Sequence, residues 1–228
     1  MRTAGLKLEV PPAAPSGKGA INWTDVALEL DAYGCATVGP LLSPRECHAI
    51  AGLYETDGPF RSRIVMARHG FGRGEYKYFA YPLPQAIAEL RGVLYPHLAE
   101  IANRWNAQMG IAVQYPAAHG DFLQRCHEAG QTKPTPLLLQ YGPGDYNCLH
   151  QDLYGDVAFP LQMTCLLSRP GEDFVGGEFL LVEQRPRAQS TGSVVPLERG
   201  QIVVFATRHR PARGARGAYR VTLRHGVS

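Results

Sequence analysis

No apolar run in this 228-residue chain approaches the roughly 20 residues that a helical membrane span needs, and the N-terminus carries no apolar signal-peptide core. The expectation is a cytoplasmic protein with no membrane partner. A cysteine framework is also missing. The five cysteines are odd in number, scattered and without a C-x-x-C pair, which argues against a disulfide scaffold or a structural zinc site. Lysine is scarce: of 23 basic residues only Lys7, Lys18, Lys77 and Lys133 are not arginine, whose planar fork suits carboxylates and phosphates. A net charge of +3 is too small by itself to imply a polyanionic partner. The distribution says more: Arg199 to Arg224 contains no acid, and Phe60 to Phe79 sets Arg61, Arg63, Arg68, Arg73 and Lys77 against Glu75 alone. Hydrophobic content of 45% and charged content of 19% fit an ordinary globular protein.

Residues 1–20, rich in proline and glycine, read as a flexible arm, and residues 21–228 as a single domain. Asn22 opens a short helix stopped by Gly34, and Cys35 to Val38 form a brief strand. Ser43-Pro-Arg-Glu46 is a capping box that starts a second helix running to about Glu55. Leu83, Ile87, Leu90, Leu94, Leu98 and Ile101 recur at helical spacing, with Pro96 expected to bend that helix or shift its start. The glycines of residues 60–81 lack phosphate-loop spacing, and residues 107–134 read as surface loops. From Pro136 onward short apolar runs alternate with turns: Leu137–Tyr141, Tyr146–His150, Val157–Leu167, Gly177–Glu183, Gln201–Ala206 and Tyr219–His225. Successive strands without intervening helices imply antiparallel pairing, hence an α+β fold with a jelly-roll core behind N-terminal supporting helices.

Among eight histidines, position selects. His150 and Asp152 lie two residues apart at the end of a strand, so both project to one face. A third imidazole from a later strand would complete the two-histidine, one-carboxylate set that suits non-haem Fe(II). His209 follows the apolar strand Gln201–Ala206 and His225 ends the last strand; spacing leaves both open. Cys126-His127-Glu128 lies in an expected loop, and its adjacent side chains would point apart.

Leu139-Gln-Tyr-Gly-Pro-Gly-Asp-Tyr-Asn-Cys-Leu-His-Gln-Asp152 resembles the metal-binding segment of 2-oxoglutarate/Fe(II)-dependent dioxygenases, in both their prolyl-hydroxylase-like and DNA-alkylation-repair branches. Gly176-Gly-Glu178 is similar to the strand that follows in the former, and Arg199 to Ala206 leading into His209 resembles the segment carrying the third ligand. These motifs occur in family order over about residues 135–226, the catalytic jelly-roll core. Phe60 to Phe79 and Tyr219 to Ser228 further resemble a bacterial group described as oxygenases for oxidative removal of methyl groups from damaged DNA.

The resemblance implies a double-stranded β-helix with Fe(II) held by His150, Asp152 and His209, and 2-oxoglutarate and O2 as cosubstrates. It places the cosubstrate's distal carboxylate on Arg220, eleven residues past His209, with Arg216 as rival. Thr222, Tyr141 and Asn147 would add hydrogen bonds. The implied reaction couples decarboxylation of 2-oxoglutarate to hydroxylation of a substrate C–H bond; an N-methyl carbon would then leave as formaldehyde. Alkylated DNA or a nucleotide is the implied partner, with Arg68, Arg73, Tyr76 and Tyr78 positioned to meet phosphates and stack on a base, and residues 60–81 able to cover the site. Two other readings stand beside it. One is a 2-oxoglutarate hydroxylase of a protein side chain or small metabolite. The other is a non-enzymatic cupin-like barrel, which has no need of a carboxylate fork.

Overall fold

The computed structural model describes residues 21–153, 155–215 and 217–228; the arm read for residues 1–20 and the rival Arg216 lie outside them. Caps and stops set the first elements. The Asn22 side chain accepts from the backbone of Thr24 and Asp25 to start α1 (Trp23–Tyr33), and Gly34, at φ 77°, ends it. β1 (Cys35–Val38) follows. The expected capping box starts α2 (Pro44–Gly52), which tightens into a 3-10 turn over Leu53–Glu55.

The arginine-rich stretch forms β2 (Phe60–Val65), β3 (Gly72–Arg73) and β4 (Glu75–Phe79). α3 (Gln85–Gln108) runs across Pro96 without breaking. The stretch read as loops contains α4 (His119–Glu128), whose apolar face is only Phe122, Leu123 and Cys126 and buries no residue fully, a short signal among polar residues. Its Phe122 ring stacks on Tyr95 at 5.3 Å and lies 5.6 Å from Phe159, and these contacts hold it.

The second half is built of strands: β5 (Leu137–Gln140), β6 (Tyr146–His150), β7 (Leu161–Cys165), β8 (Phe179–Gln184), β9 (Thr191–Val195), β10 (Ile202–Ala206), β11 (His209–Gly214) and β12 (Gly217–Val227). β9 and β11 are additions to the expected set. Both are polar or carry proline and glycine, so neither shows an apolar run. Pairing is antiparallel throughout. One sheet has the order β1-β10-β7 and a second β2-β4-β5. The third runs β3-β6-β12-β8-β9, with β11 also on β12. Strands ahead of residue 135 thus share sheets with the later ones.

β10 is buried along its whole length, as its uninterrupted apolar run requires. Its cluster joins Leu30 of α1 and Trp105 of α3 to Leu181 of β8 and Leu223 of β12. Helices, a three-stranded sheet and the six-stranded sheet therefore form layers around one core. Among the described residues no helix is long and apolar enough to cross a membrane.

Candidate metal centre

β12 alternates cleanly. Val221, Leu223 and His225 are buried, while Arg220 and Arg224 between them are exposed. His225 therefore faces the core, where it is 6% exposed and its ring lies 4.6 Å from that of Phe205. Directly across the strand pair stands His150, with ring centroids 4.2 Å apart. Asp152 follows two residues after His150: its Oδ1 lies 3.6 Å from His150 Nε2 and its Oδ2 3.4 Å from His225 Nε2. One ligand atom from each of the three lies within 4.8 Å of the others.

The surroundings orient this set. His150 Nδ1 lies 2.7 Å from the Cys148 carbonyl, which orients the ring so that Nε2 faces Asp152. Gln162 Nε2 donates to Asp152 Oδ2 at 2.9 Å, and Gln151 Nε2 to the Leu223 carbonyl at 2.7 Å. Burial alone would raise the Asp152 carboxyl, but hydrogen bonds from His150, His225 and Gln162 hold it well below the usual carboxylate range. Burial likewise lowers His225, keeping it neutral, and its buried Nδ1 has no partner. Burial alone would lower His150, but its hydrogen bonds to Asp152 and the Cys148 carbonyl raise it. Two imidazoles and one ionised carboxylate are a donor set that suits Fe(II).

His209, the third ligand expected from the sequence, does not join this group. It lies on β11 opposite Thr222, with Nδ1 3.4 Å from the Thr222 hydroxyl. Paired residues share a face, and Thr222 is three positions from His225 on β12, so both point away from the metal centre. Arg220 also points away, and its Nη2 donates to the Met109 carbonyl at 3.1 Å. The physical reason is β11 itself: the chain after β10 re-enters the sheet as a strand and carries His209 to the outer face.

Tyr141 and Asn147 fare differently. Asn147 pairs with Val227 while His150 pairs with His225, so Cys148 and Leu149 on β6 stand opposite Gly226 alone on β12. This bulge turns Asn147 to the same inner face as His150 although they are three apart. Tyr141, Asn147, Asp152, Gln162 and Tyr78 line one cleft of about 1990 Å³. Burial pushes the Tyr141 hydroxyl up to about 12, with the Asn147 side chain pulling the other way.

Residues 74–228 match the model of a family described as "Oxygenase, catalysing oxidative methylation of damaged DNA". The chain belongs to this oxygenase family. Two uncharacterized proteins of Mycobacterium tuberculosis, from strains CDC 1551 and H37Rv, are each 51% identical to it over 150 residues. That match covers 66% of this chain and 64% of each relative, so the chain spans somewhat under two thirds of their length. A crystal structure of a Pseudomonas putida prolyl-4-hydroxylase aligns with a TM-score of 0.49 at 14% identity, over 90% of this chain and 95% of that one.

The remaining expected residues of this oxygenase-family chain divide. Tyr76 and Tyr78 share a face of β4, their rings edge-on at 5.4 Å, and Arg61 stacks over Tyr78 at 4.3 Å. Burial raises the Tyr78 hydroxyl and the charge of Asp152 raises it further, which ties this tyrosine to the metal centre. Arg68 and Arg73 are exposed on the loop and short strand beside β6. Sequence reasoning left His225 second, although the alternation Val221, Leu223, His225 against Arg220, Thr222, Arg224 carried the signal. Gln162 had no signal; only the fold brings it to Asp152.

Proposed function

We propose that the protein is an Fe(II)- and 2-oxoglutarate-dependent oxygenase that hydroxylates a C–H bond, with N-alkylated DNA as the substrate class. The observation that carries this reading is the set His150, Asp152 and His225, of which Asp152 lines a cleft shared with Tyr141 and Asn147. His150, Asp152 and His225 would hold Fe(II) and leave positions open for a 2-oxoacid and O2; the iron would activate O2, the oxidant, for C–H hydroxylation, with 2-oxoglutarate as the second reductant. The protein's own groups position and shield. The Cys148 carbonyl and Gln162 fix His150 and Asp152, while Phe205 and Phe179 exclude water from His225. Tyr141 and Asn147 offer hydrogen bonds to a bound 2-oxoacid, and Tyr78 a ring for the substrate.

The antiparallel sheets of residues 21–228 are read as one domain with a double-stranded β-helix core. DNA as substrate draws support from the family description and from the exposed Arg68 and Arg73, with Tyr76 and Tyr78 behind them.

The test is release of succinate from 2-oxoglutarate with Fe(II), in the presence of methylated or unmethylated oligonucleotides, peptides and metabolites. Methylated oligonucleotide should stimulate turnover and release formaldehyde. Full turnover in Asp152→Ala would end the metal assignment; stimulation by peptide or metabolite alone would end the DNA assignment.

A further inference from the structure

We infer that the outer face of the six-stranded sheet, opposite the metal centre, binds an unpaired nucleic-acid strand. The alternation that sends His225 inward sends Arg220 and Arg224 outward on β12. On β3, Gly72 pairs with the inward Asn147, so Arg73 and its partner Tyr146 face out. The β6 bulge leaves Leu149 on this side, and Phe71 lies beside it, its carbonyl accepting from Cys148 N at 2.9 Å. Phe71, Tyr146 and Leu149 are 45%, 42% and 45% exposed.

Two properties define the partner. No outward position of β3, β6, β11 or β12 carries a carboxylate. Among the described residues none of Arg73, Arg220 and Arg224 forms an ion pair. Cations without counter-ions seek an external anion, and Arg220 and Arg224, four residues apart on one strand, stand about 13 Å apart and so meet separate phosphates. Exposed rings on a sheet surface stack on unpaired bases but cannot enter a duplex groove as a helix does. The occupant is therefore a single strand. β6 connects this surface to the chemistry: Tyr146 and Leu149 point out where Asn147 and His150 point in. A strand held outside would reach the cleft by rounding the edge at Arg73 and Phe71.

This inference shares with the proposed function the choice of nucleic acid, but it needs neither metal nor turnover. Binding of a labelled oligonucleotide of about 15 thymidines to the metal-free protein, followed by fluorescence anisotropy across a salt series, tests it. Arg224→Glu and Tyr146→Ala should each weaken binding by about 5-fold or more, and Arg224→Glu should reduce the salt slope by about 0.7. Arg45→Glu, an equal charge change on α2, should leave affinity near wild type. Because binding is read on the metal-free protein, failure here is separate from failure of the metal assignment. The inference is overturned by any of four results: no binding at low salt, equal losses in Arg45→Glu and Arg224→Glu, an unaffected Tyr146→Ala, or preference for an acidic peptide.

Discussion

His225 on β12 sits opposite His150 on β6, and Asp152 reaches both rings through its two carboxylate oxygens. Each carboxylate oxygen thus faces one imidazole, and Oδ2 also accepts from Gln162.

Metal affinity should distinguish the two later histidines. His225→Ala should lose Co(II) binding, read from visible absorption, while His209→Ala keeps it. Gln162→Ala, which frees the Asp152 carboxylate, should weaken binding by about 10- to 100-fold. Retained affinity in His225→Ala would return His209 to consideration.

Arg220 faces away from the cleft, so Arg220→Ala should leave 2-oxoglutarate affinity unchanged, as measured by calorimetry on the metal-loaded protein. A large loss there would mean that β12 turns over when the cosubstrate binds.

Gly72→Ala should destabilise the protein and disturb the ligand strand. Gly72 has φ 125°, and a Cβ there would lie 2.3 Å from the Tyr146 carbonyl oxygen. Backbone cannot yield as a side-chain tip can, so a loss of about 1–3 kcal/mol in urea unfolding is expected. Weaker Co(II) binding should accompany it, because β6 must shift.

Arg210 is 2% exposed on β11, where its guanidinium pairs with Glu183 and donates to the Asp31 carbonyl at 2.9 Å. Glu183→Ala would strand a buried cation and should cost about 3–5 kcal/mol in denaturant unfolding. A change under about 1 kcal/mol would show that Arg210 finds solvent instead.

Burial, and then the charge of Arg91, lowers the pKa of His119 below its ordinary value. Below about pH 6.5 the unfolded chain takes up a proton that the folded state resists, so stability is lost as pH drops through that window and is level above it. His119→Phe keeps the ring beside Tyr95 and should shrink the loss of stability between about pH 7 and about pH 5.5 relative to wild type. An identical loss in both proteins would place the titration elsewhere.

Much of this architecture was legible because local chemistry and burial agreed. The capping box at Ser43, the glycine stop at Gly34 and the apolar run of β10 each state one structure. His150 and Asp152 were legible as a pair from spacing alone. The third ligand was misplaced because β11, with Pro211 and flanking arginines, has the composition of a turn and is held as a strand by pairing with β12. Once β11 is a strand, alternation along β12 assigns every side chain from Arg220 to His225. α4 stayed hidden for a related reason: its own apolar face is short, and rings from α3 and the segment before β7 hold it.

The bulge in β6 works like a frameshift in a two-letter text. Strand side chains read in, out, in, out, and one surplus residue between Asn147 and His150 resets the phase. A regular strand through the same residues would turn Asn147 out to solvent and Tyr146 inward, whereas deleting Cys148 or Leu149 would remove the surplus residue and leave Asn147 facing inward. The bulge thus decides whether Asn147 and the candidate ligands speak to the same space.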